Sequence, residues 1–289
     1  MSTGAVTAIH LHPVKACHRV EVEHATVGPL GLVGDREWQV ISPEGHPVTQ
    51  RQHPLLATIQ PRLVPDGIEL TAPGVGAILV SRPHAADTEA RALLGERVQV
   101  ADGGDEAARW LREVLGAECR LVAIADGYRR LVKIFDQEAA FGDAAPVCVA
   151  NEASWRDLAA RASQPFGIER FRPNVIVDAG EPWVEDTWLR FSVGAATLRT
   201  AMPWPRCAVP QVDQETGKRH REPALALRAH RWCAEAPGYP DLLRPFLEGS
   251  PLFAIGCAVG PVGVTVSVGD PVIVHETMDP LIPAPVAVS

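Results

Sequence analysis

The stretch Val6-Thr7-Ala8-Ile9-His10-Leu11 is the first of several short runs whose side chains alternate with a period of two. Similar runs follow within the first hundred residues, separated by Gly, Pro and Asp, at residues 20–22, 38–41, 68–70, 78–80 and 98–100. Short alternating runs with regular turn residues are typical of small β-barrels and sandwiches. The N-terminal part of the chain is therefore predicted to be a β-domain.

Helices are predicted where capping and stop residues flank a longer run. They cover residues 107–115 between Asp105 and Gly116, residues 152–162 after Asn151, and residues 222–234 with Pro223 in the first turn. Between the first two helices, residues 123–142 are predicted to form a polar, irregular connection.

The second half of the chain mixes strands with these helices. Strands are predicted at residues 174–177, 189–193, 197–200, 262–268 and 271–274, and an unstructured tail at 280–285. The fold class is therefore mainly β with α (α+β). The predicted boundaries are an N-terminal β-domain at 1–122, a second domain at 123–276 and a C-terminal tail at 277–289.

Composition excludes several functions. The 289 residues carry a net charge of −8 with a pI near 5.7, and the basic residues are spread along the chain, which argues against a nucleic-acid surface. Apolar runs are short, and no signal segment opens the chain, so a cytoplasmic protein without membrane attachment is expected. No G-x-G-x-x-G, G-x-x-x-x-G-K-[ST] or G-x-S-x-G motif occurs, which disfavours nucleotide-phosphate loops and serine hydrolysis.

The six cysteines are widely separated, at positions 17, 119, 148, 207, 233 and 257, without a C-x-x-C pair. This spacing predicts reduced thiols, with neither zinc nor an iron–sulfur cluster. Cys207 stands out because Arg206 precedes it, and a neighbouring cation favours the thiolate, which is the form that binds soft metals. The alternative is that Cys207 is a small buried hydrophobe.

A set of short motifs resembles, in order, the MOSC family, named after the C-terminal domain of molybdenum cofactor sulfurase. The resemblance is strongest to the mitochondrial amidoxime-reducing component and its bacterial relatives. The motifs are His12-Pro13-Val14-Lys15, Gly34-Asp35-Arg36-Glu37-Trp38, Val48-Thr49-Gln50-Arg51-Gln52, Phe171-Arg172-Pro173-Asn174, Ala201-Met202-Pro203-Trp204-Pro205-Arg206-Cys207, Ser250-Pro251-Leu252-Phe253 and Val268-Gly269-Asp270-Pro271-Val272.

The resemblance implies a MOSC-type β-barrel core decorated by helices, preceded by a smaller N-terminal β-barrel domain. It also implies a molybdenum–molybdopterin cofactor whose metal is held by Cys207, and it brings pyridoxal phosphate binding as a further option. The family positions that contact the cofactor match Lys15, Arg36, Asp143, Arg172, Asn174, Arg206 and Cys207. Ala144 and Ala145 stand where the family has hydroxyl side chains, so any contact there passes through backbone amides. The second family cysteine is replaced by Trp204.

Asp213 follows Cys207 closely, and two interpretations of it stay open. It is a proton donor near the metal, or it is a turn-forming carboxylate in Val212-Asp213-Gln214-Glu215-Thr216-Gly217. His10 and His12 are interpreted as structural, and so are Trp183 and Trp188.

The resemblance leads to a molybdenum-dependent oxidoreductase that reduces N-hydroxylated small molecules, with Cys207 and Asp213 as catalytic residues. Electrons would come from a separate ferredoxin-like or cytochrome-like reductase. The alternatives are a carrier of molybdenum cofactor or sulfur without turnover of its own, and a β-barrel that has lost its cofactor.

Overall fold

The computed structural model describes residues 3–92 and 95–286, and strands dominate them. The strands are β1 Gly4–Leu11, β2 Val20–Val22, β3 His24–Gly28, β4 Gly31–Leu32, β5 Trp38–Ile41, β6 Gln60–Val64, β7 Gly67–Ala72, β8 Gly76–Ser81, β9 Thr88–Arg91, β10 Arg97–Asp102, β11 Arg120–Ile124, β12 Leu131–Val132, β13 Gln137–Glu138, β14 Val147–Asn151, β15 Val175–Asp178, β16 Trp188–Val193, β17 Ala196–Pro205, β18 Trp232–Cys233, β19 Ser250–Gly260, β20 Thr265–Ser267 and β21 Pro271–Thr277. The helices are α1 Gly104–Leu115, α2 Glu152–Ala160, α3 Ala224–His230 and α4 Arg244–Leu247, with 3₁₀ turns at Pro54–Thr58, Ile168–Phe171, Val184–Thr187 and Val209–Gln211.

Seven strands close into a barrel in the order β14-β15-β1-β21-β16-β17-β19, because β19 pairs back onto β14. Within this ring only β14 and β15 run parallel. Branched and aromatic side chains such as Val149, Val175, Phe191 and Ile255 fill its interior, and all four are buried. Closure leaves no free edge in the ring, which removes the template for unwanted strand pairing. The predicted MOSC-type fold class is confirmed.

The second body of sheet lies in the N-terminal half. It comprises the four-stranded sheet β5-β11-β10-β9 and the three-stranded sheet β6-β7-β8, with α1 packed against both β11 and β8. Trp38, Ile68, Leu111 and Leu121 share its core. Strand β1, however, belongs to the closed barrel, so the chain starts in the barrel before it forms the N-terminal sheets. The division at residue 122 stays a prediction.

The helix ends agree with the sequence predictions in one case and differ in two. Asn151 caps α2 as predicted, since its side chain accepts a hydrogen bond from the Ala153 amide. Asp105 does not cap α1, because Gly103 occupies that position and Asp105 lies in the first turn, where its charge favours the helix dipole. The third helix begins after Pro223 and ends at His230, four residues earlier than predicted.

Two segments were assigned wrongly. The strand predicted at 262–268 is limited to β20, because Gly263 takes a φ of +93° and turns the chain. The connection at 123–142 is not irregular throughout, since it forms the β12-β13 hairpin and buries Phe135 and Phe141. At the C-terminus, the tail predicted at 280–285 contains no helix or strand.

Candidate functional site

A cleft opens where four segments meet, namely the turn after β1, the turn before β5, the segment leading into β14 and the end of β17. Every residue predicted from the sequence to bind cofactor lines it: Lys15, Arg36, Asp143, Arg172, Asn174, Arg206 and Cys207. Residues separated by up to 192 positions therefore converge on one surface. Asp213 does not line the cleft.

Two arginines depend on unusual backbone geometry to reach the cleft. Arg36 and Arg172 have φ angles of +51° and +54°, in the left-handed region that side chains other than glycine rarely adopt. Arg36 donates from Nη1 to Asn174 Oδ1 over 3.1 Å and from Nη2 to the Arg172 carbonyl over 3.1 Å, and it also pairs with Asp35. The two strained residues are thus tied to each other.

Arg172 is a cation that pairs with no carboxylate among the residues that the structure describes. Its Nη1 donates to the Cys17 carbonyl over 2.6 Å and to Gln214 Oε1 over 3.2 Å, whereas its buried Nη2 has no partner among the described residues. Burial and the nearby Arg36 charge lower the pKa of Arg172 to about 9. Its positive charge is therefore poorly compensated, and an anion in the cleft would stabilise it.

Lys15 and Asp143 form an ion pair on the wall of the cleft. Lys15 is buried, and its Nζ donates to the Phe141 carbonyl and to Asp143 Oδ1, each over 2.7 Å. Burial lowers the pKa of Lys15 in spite of the carboxylate. Burial alone would raise the pKa of Asp143, but attraction to Lys15 outweighs it and lowers that pKa. Asp143 is therefore held as the carboxylate, and its charge partly offsets the cost of burying the Lys15 ammonium.

Arg206 acts mainly on the backbone. Its Nε and Nη2 donate to the Phe253 carbonyl over 2.9 and 2.7 Å, its Nη1 donates to the Phe171 carbonyl over 2.8 Å, and Nη2 also reaches Cys148 Sγ at 3.6 Å. The guanidinium stands over the Phe171 ring, 5.4 Å from its centroid. Arg206 therefore ties the end of β17 to β19, while its direct sulfur contact is Cys148 rather than the adjacent Cys207.

Cys207 is the accessible thiol of the molecule. It is exposed, whereas the other five cysteines are buried. It lies two residues after the end of β17, and the Val209 amide donates to its sulfur over 3.5 Å at the start of the Val209–Gln211 turn. A metal brought into the cleft can therefore reach this sulfur without rearrangement of the core.

Three cleft residues escaped the sequence analysis as site residues. Arg51 is half-buried in the wall. Burial would lower the pKa of Arg51, but the neighbouring Cys207 sulfur and the Asp143 charge outweigh burial and raise that pKa. Arg170 and Cys148 also line the cleft. Arg51 lies in the motif at 48–52, and Arg170 directly precedes the motif at 171–174, so their positions in the sequence could have indicated them. Cys148 lies in an apolar run and gave none.

Asp213 is held by a turn outside the cleft. Its Oδ1 accepts from the Thr216 amide over 2.9 Å and from Thr216 Oγ1 over 2.8 Å, and its Oδ2 accepts from Arg170 Nη2 over 2.8 Å. Partial burial would raise the pKa of Asp213, but the bonds from Thr216 and Arg170 outweigh it and lower that pKa. A carboxylate held ionised is a poor proton donor near neutral pH. Its catalytic role stays a prediction.

His10 and His12 are buried beside β2 and Asp35. Burial lowers the pKa of His10 to about 4 and that of His12 well below its usual value. Both imidazoles are therefore neutral at pH 7. Trp183 and Trp188 are buried too, but in two different apolar clusters rather than as a pair.

The cleft has the opposite charge to the protein as a whole. Among the described residues, the cations that line it are Lys15, Arg36, Arg51, Arg170, Arg172 and Arg206, and the carboxylate that lines it is Asp143. The chain as a whole has a net charge of −8. A concentration of positive charge around a concave surface favours binding of an anionic ligand.

Comparison with known proteins places this geometry in a family. The model of the MOSC N-terminal beta barrel domain matches residues 3–118, and that of the MOSC domain matches residues 136–273. Together these matches cover most of the chain, and the chain belongs to the MOSC family.

The chain is similar to mitochondrial amidoxime reducing component 2 of Bos taurus, with 32% identity over 93% of this chain and 82% of the relative. The Homo sapiens protein of the same name is 31% identical over 93% of this chain and 83% of the relative. Molybdenum cofactor sulfurase of Danio rerio is 31% identical over 78% of this chain, which matches 30% of that longer protein. These relatives support a molybdenum-cofactor-related function.

No helix in residues 3–92 and 95–286 is both long and apolar enough to cross a membrane. The cytoplasmic location stays a prediction, since the amidoxime-reducing relatives are described as mitochondrial.

Proposed function

We propose that this protein reduces N-hydroxylated compounds, such as amidoximes and hydroxylamines, with a molybdenum cofactor bound in the cleft and electrons from a separate donor protein. The observation that carries the proposal is the combination of the exposed Cys207 thiol with a wall of cations that includes the unpaired Arg172 Nη2. A thiol is a suitable ligand for molybdenum, and the cations suit the phosphate of the pterin.

The residues present fit that cofactor. Cys207 would supply the protein ligand to the metal, and Arg172, Arg36 and Lys15 would hold the phosphate. Asn174 orients Arg36 through the 3.1 Å hydrogen bond to its Nη1. Ala144 and Ala145 offer no hydroxyl, so that part of the wall contributes backbone amides alone. When bound, the cofactor supplies the centre that exchanges two electrons.

The reaction that this site would perform consumes two electrons and two protons. The N–O bond breaks, the hydroxyl oxygen leaves as water, and the nitrogen is left as amine or amidine. The Asp143 side chain is 44% exposed, so this edge of the cleft is open to solvent, which would supply the protons. Arg206 and Asn174 hold the backbone around the cleft in place. Arg206 Nε donates to the Phe253 carbonyl, and Asn174 Oδ1 accepts from the Cys148 amide.

A second candidate is a carrier of molybdenum cofactor or of sulfur on Cys207. The exposure of Cys207 and the similarity to molybdenum cofactor sulfurase favour it. A carrier would bind cofactor or accept sulfur without turning over N-hydroxylated substrates. The pyridoxal phosphate option, and the expected lack of zinc and iron–sulfur clusters, stay predictions.

Metal and pterin analysis of protein from a host that makes molybdenum cofactor, followed by turnover of an amidoxime with a chemically reduced dye, tests the proposal. We expect about one molybdenum per chain. Cys207→Ser should lower dye-driven turnover at least about 100-fold, because a hard oxygen replaces the soft sulfur ligand. Cofactor without turnover in the wild-type protein would support the carrier instead, and absence of both would contradict the two proposals.

Cys233→Ser is the matched control, because Cys233 is buried in another cluster and its Sγ donates to the Glu235 carbonyl. Cys148 is unsuitable for this purpose, since it lines the cleft. Equal loss of turnover in Cys207→Ser and Cys233→Ser would remove Cys207 from the reaction.

A further inference from the structure

The densest basic run of the chain projects beside the cleft. Residues 211–220 form an irregular hairpin in which Val212 bridges to Arg219, and α3 follows it closely. Lys218 and Arg219 are exposed on the hairpin, Arg221 on the link that follows it, and Arg228 on α3. We call these four residues the basic face. None of them forms an ion pair with any residue that the structure describes.

The carboxylates of the same segment are all engaged elsewhere. Asp213 pairs with Arg170 and caps the turn at Thr216, and Glu215 pairs with His18 and Arg19. Glu222 is buried and accepts hydrogen bonds from the Ser163 hydroxyl and the Ala226 amide. The basic face is therefore left with an uncompensated positive charge in a protein whose net charge is −8.

The hairpin is fixed to the rim of the cleft. Arg219 Nη2 donates to the Arg51 carbonyl over 2.6 Å, and Arg51 itself lines the cleft. The chain enters the hairpin from Val209 and Pro210, which also line the cleft. A molecule seated on the basic face would thus lie next to the site of reduction.

Apolar side chains accompany these charges. Leu225 and Trp232 are 43% and 39% exposed, and the Arg228 guanidinium stands over the Trp232 ring, 5.2 Å from its centroid. Exposed aromatic and arginine side chains with surrounding charges are typical of protein interfaces, and complementary charge speeds the encounter of two proteins. A small phosphate ligand would need neither exposed leucine nor tryptophan.

We propose that the basic face, with Leu225 and Trp232, is the docking surface for an acidic electron-donor protein. This inference rests on the proposed function, which requires electrons from outside the chain. The partner chemistry is a small redox protein with a negatively charged surface around its electron-carrying group. Such encounters are transient and bury little area, so charge dominates their rate.

Charge reversal separates this docking from the chemistry in the cleft. Lys218→Glu combined with Arg221→Glu is compared with the wild-type holoenzyme, using an acidic [2Fe–2S] ferredoxin or a reduced dye as donor. We expect the KM for ferredoxin to rise at least about tenfold in the double variant and to become nearly independent of salt. Dye-driven turnover of the amidoxime should stay within about twofold of wild type, because neither residue lines the cleft.

Arg109→Glu combined with Lys133→Glu is the matched control. Both residues are exposed, neither forms an ion pair with a described residue, and the change in net charge is identical. An equal rise in KM for the two double variants would show an effect of net charge alone and overturn the proposal. Failure of the wild-type protein to accept electrons from ferredoxin, while the dye supports turnover, would overturn it as well.

Two further outcomes are decisive. If the double variant changes the KM of a phosphate-bearing substrate and leaves that of ferredoxin unaltered, the basic face binds small anions and the docking proposal is wrong. If the dye supports no turnover in the wild-type holoenzyme, the proposed function fails. Binding of oxidised ferredoxin to the holoenzyme, measured by calorimetry, then still tests docking: weaker binding by the double variant supports it, and equal binding contradicts it.

Discussion

Two clusters of buried charge in this molecule are built differently. In the interior, beneath the 3₁₀ turn Val184–Thr187, buried Arg231 pairs with buried Asp186, and its guanidinium stands over the Trp183 ring at 4.2 Å. In the cleft, Arg172 is bonded to carbonyl and amide oxygens, and no carboxylate in residues 3–92 and 95–286 pairs with it. The cation of the first cluster has its own carboxylate, although Arg231 Nε and Glu185 Oε1 have no hydrogen-bond partner among the described residues. The second cluster is short of negative charge.

Protonation explains how the interior cluster stays balanced. Glu185 is fully buried next to Asp186, and burial together with that neighbouring charge raises the pKa of Glu185 to about 7. Ser154 Oγ and Asn151 Nδ2 donate to its Oε2 over 2.8 and 3.0 Å. Below that pKa Glu185 is mostly the neutral acid, which leaves the Arg231 cation and the Asp186 anion in the cluster.

The difference in charge balance indicates which of the two clusters binds a ligand. A buried cation that is paired with its own carboxylate needs no anion from outside. An unbalanced one destabilises the empty protein and is stabilised by a ligand of opposite charge. The cleft, and not the more deeply buried interior cluster, is therefore the site that an anionic cofactor would complete.

Breaking the balanced cluster should give the largest effect on stability. Arg231→Met leaves Asp186 buried without its cation, and removal of one partner from a buried pair costs about 3–5 kcal/mol. Urea unfolding followed by circular dichroism should show that loss. Arg228→Met, three residues earlier and exposed, is the control and should change the unfolding free energy by less than about 0.5 kcal/mol. An equal loss of unfolding free energy in the two variants would show that the ion pair between Arg231 and Asp186 does not stabilise the fold.

The same substitution in the unbalanced cluster should mainly affect binding. Arg172→Met removes a poorly compensated charge, so we expect the unfolding free energy to change by only about 1 kcal/mol. The affinity for inorganic phosphate should fall about tenfold, since a hydrogen bond to a charged group is lost. Thermal shifts of the cofactor-free protein against phosphate concentration measure both quantities. A stability loss as large as that of Arg231→Met would make Arg172 a structural residue.

The sequence predicted the barrel and the convergence of the cleft residues for different reasons. Alternating runs such as Val6–Leu11 report directly on strands, since burial of one face imposes the period of two. Helix α2 was predicted with its cap because Asn151 and the Ala153 amide are neighbours in sequence. The strand at 262–268 failed because the φ of Gly263 depends on a turn that no local pattern reveals.

The cleft residues were predicted by resemblance, and their contacts were not. Nothing in the sequence indicated that Arg206 would be satisfied by the Phe253 and Phe171 carbonyls, since those lie 47 and 35 residues away. The position of Cys148 beside Arg206 is likewise set by packing of β14 against β19. Long-range hydrogen bonds of this kind follow from the closed barrel and are visible only in three dimensions.

The smallest effect is expected at Asp213, and it decides between the two interpretations of that residue. Asp213→Asn keeps an oxygen that can accept from the Thr216 amide but weakens the ion pair with Arg170. If Asp213 holds the turn, dye-driven turnover should fall less than about threefold, and the unfolding free energy should fall by about 1 kcal/mol. If Asp213 donates a proton, turnover should fall at least about 100-fold at unchanged KM. Turnover from pH 5 to 8 distinguishes the two, since a turn residue held ionised adds no step to that profile.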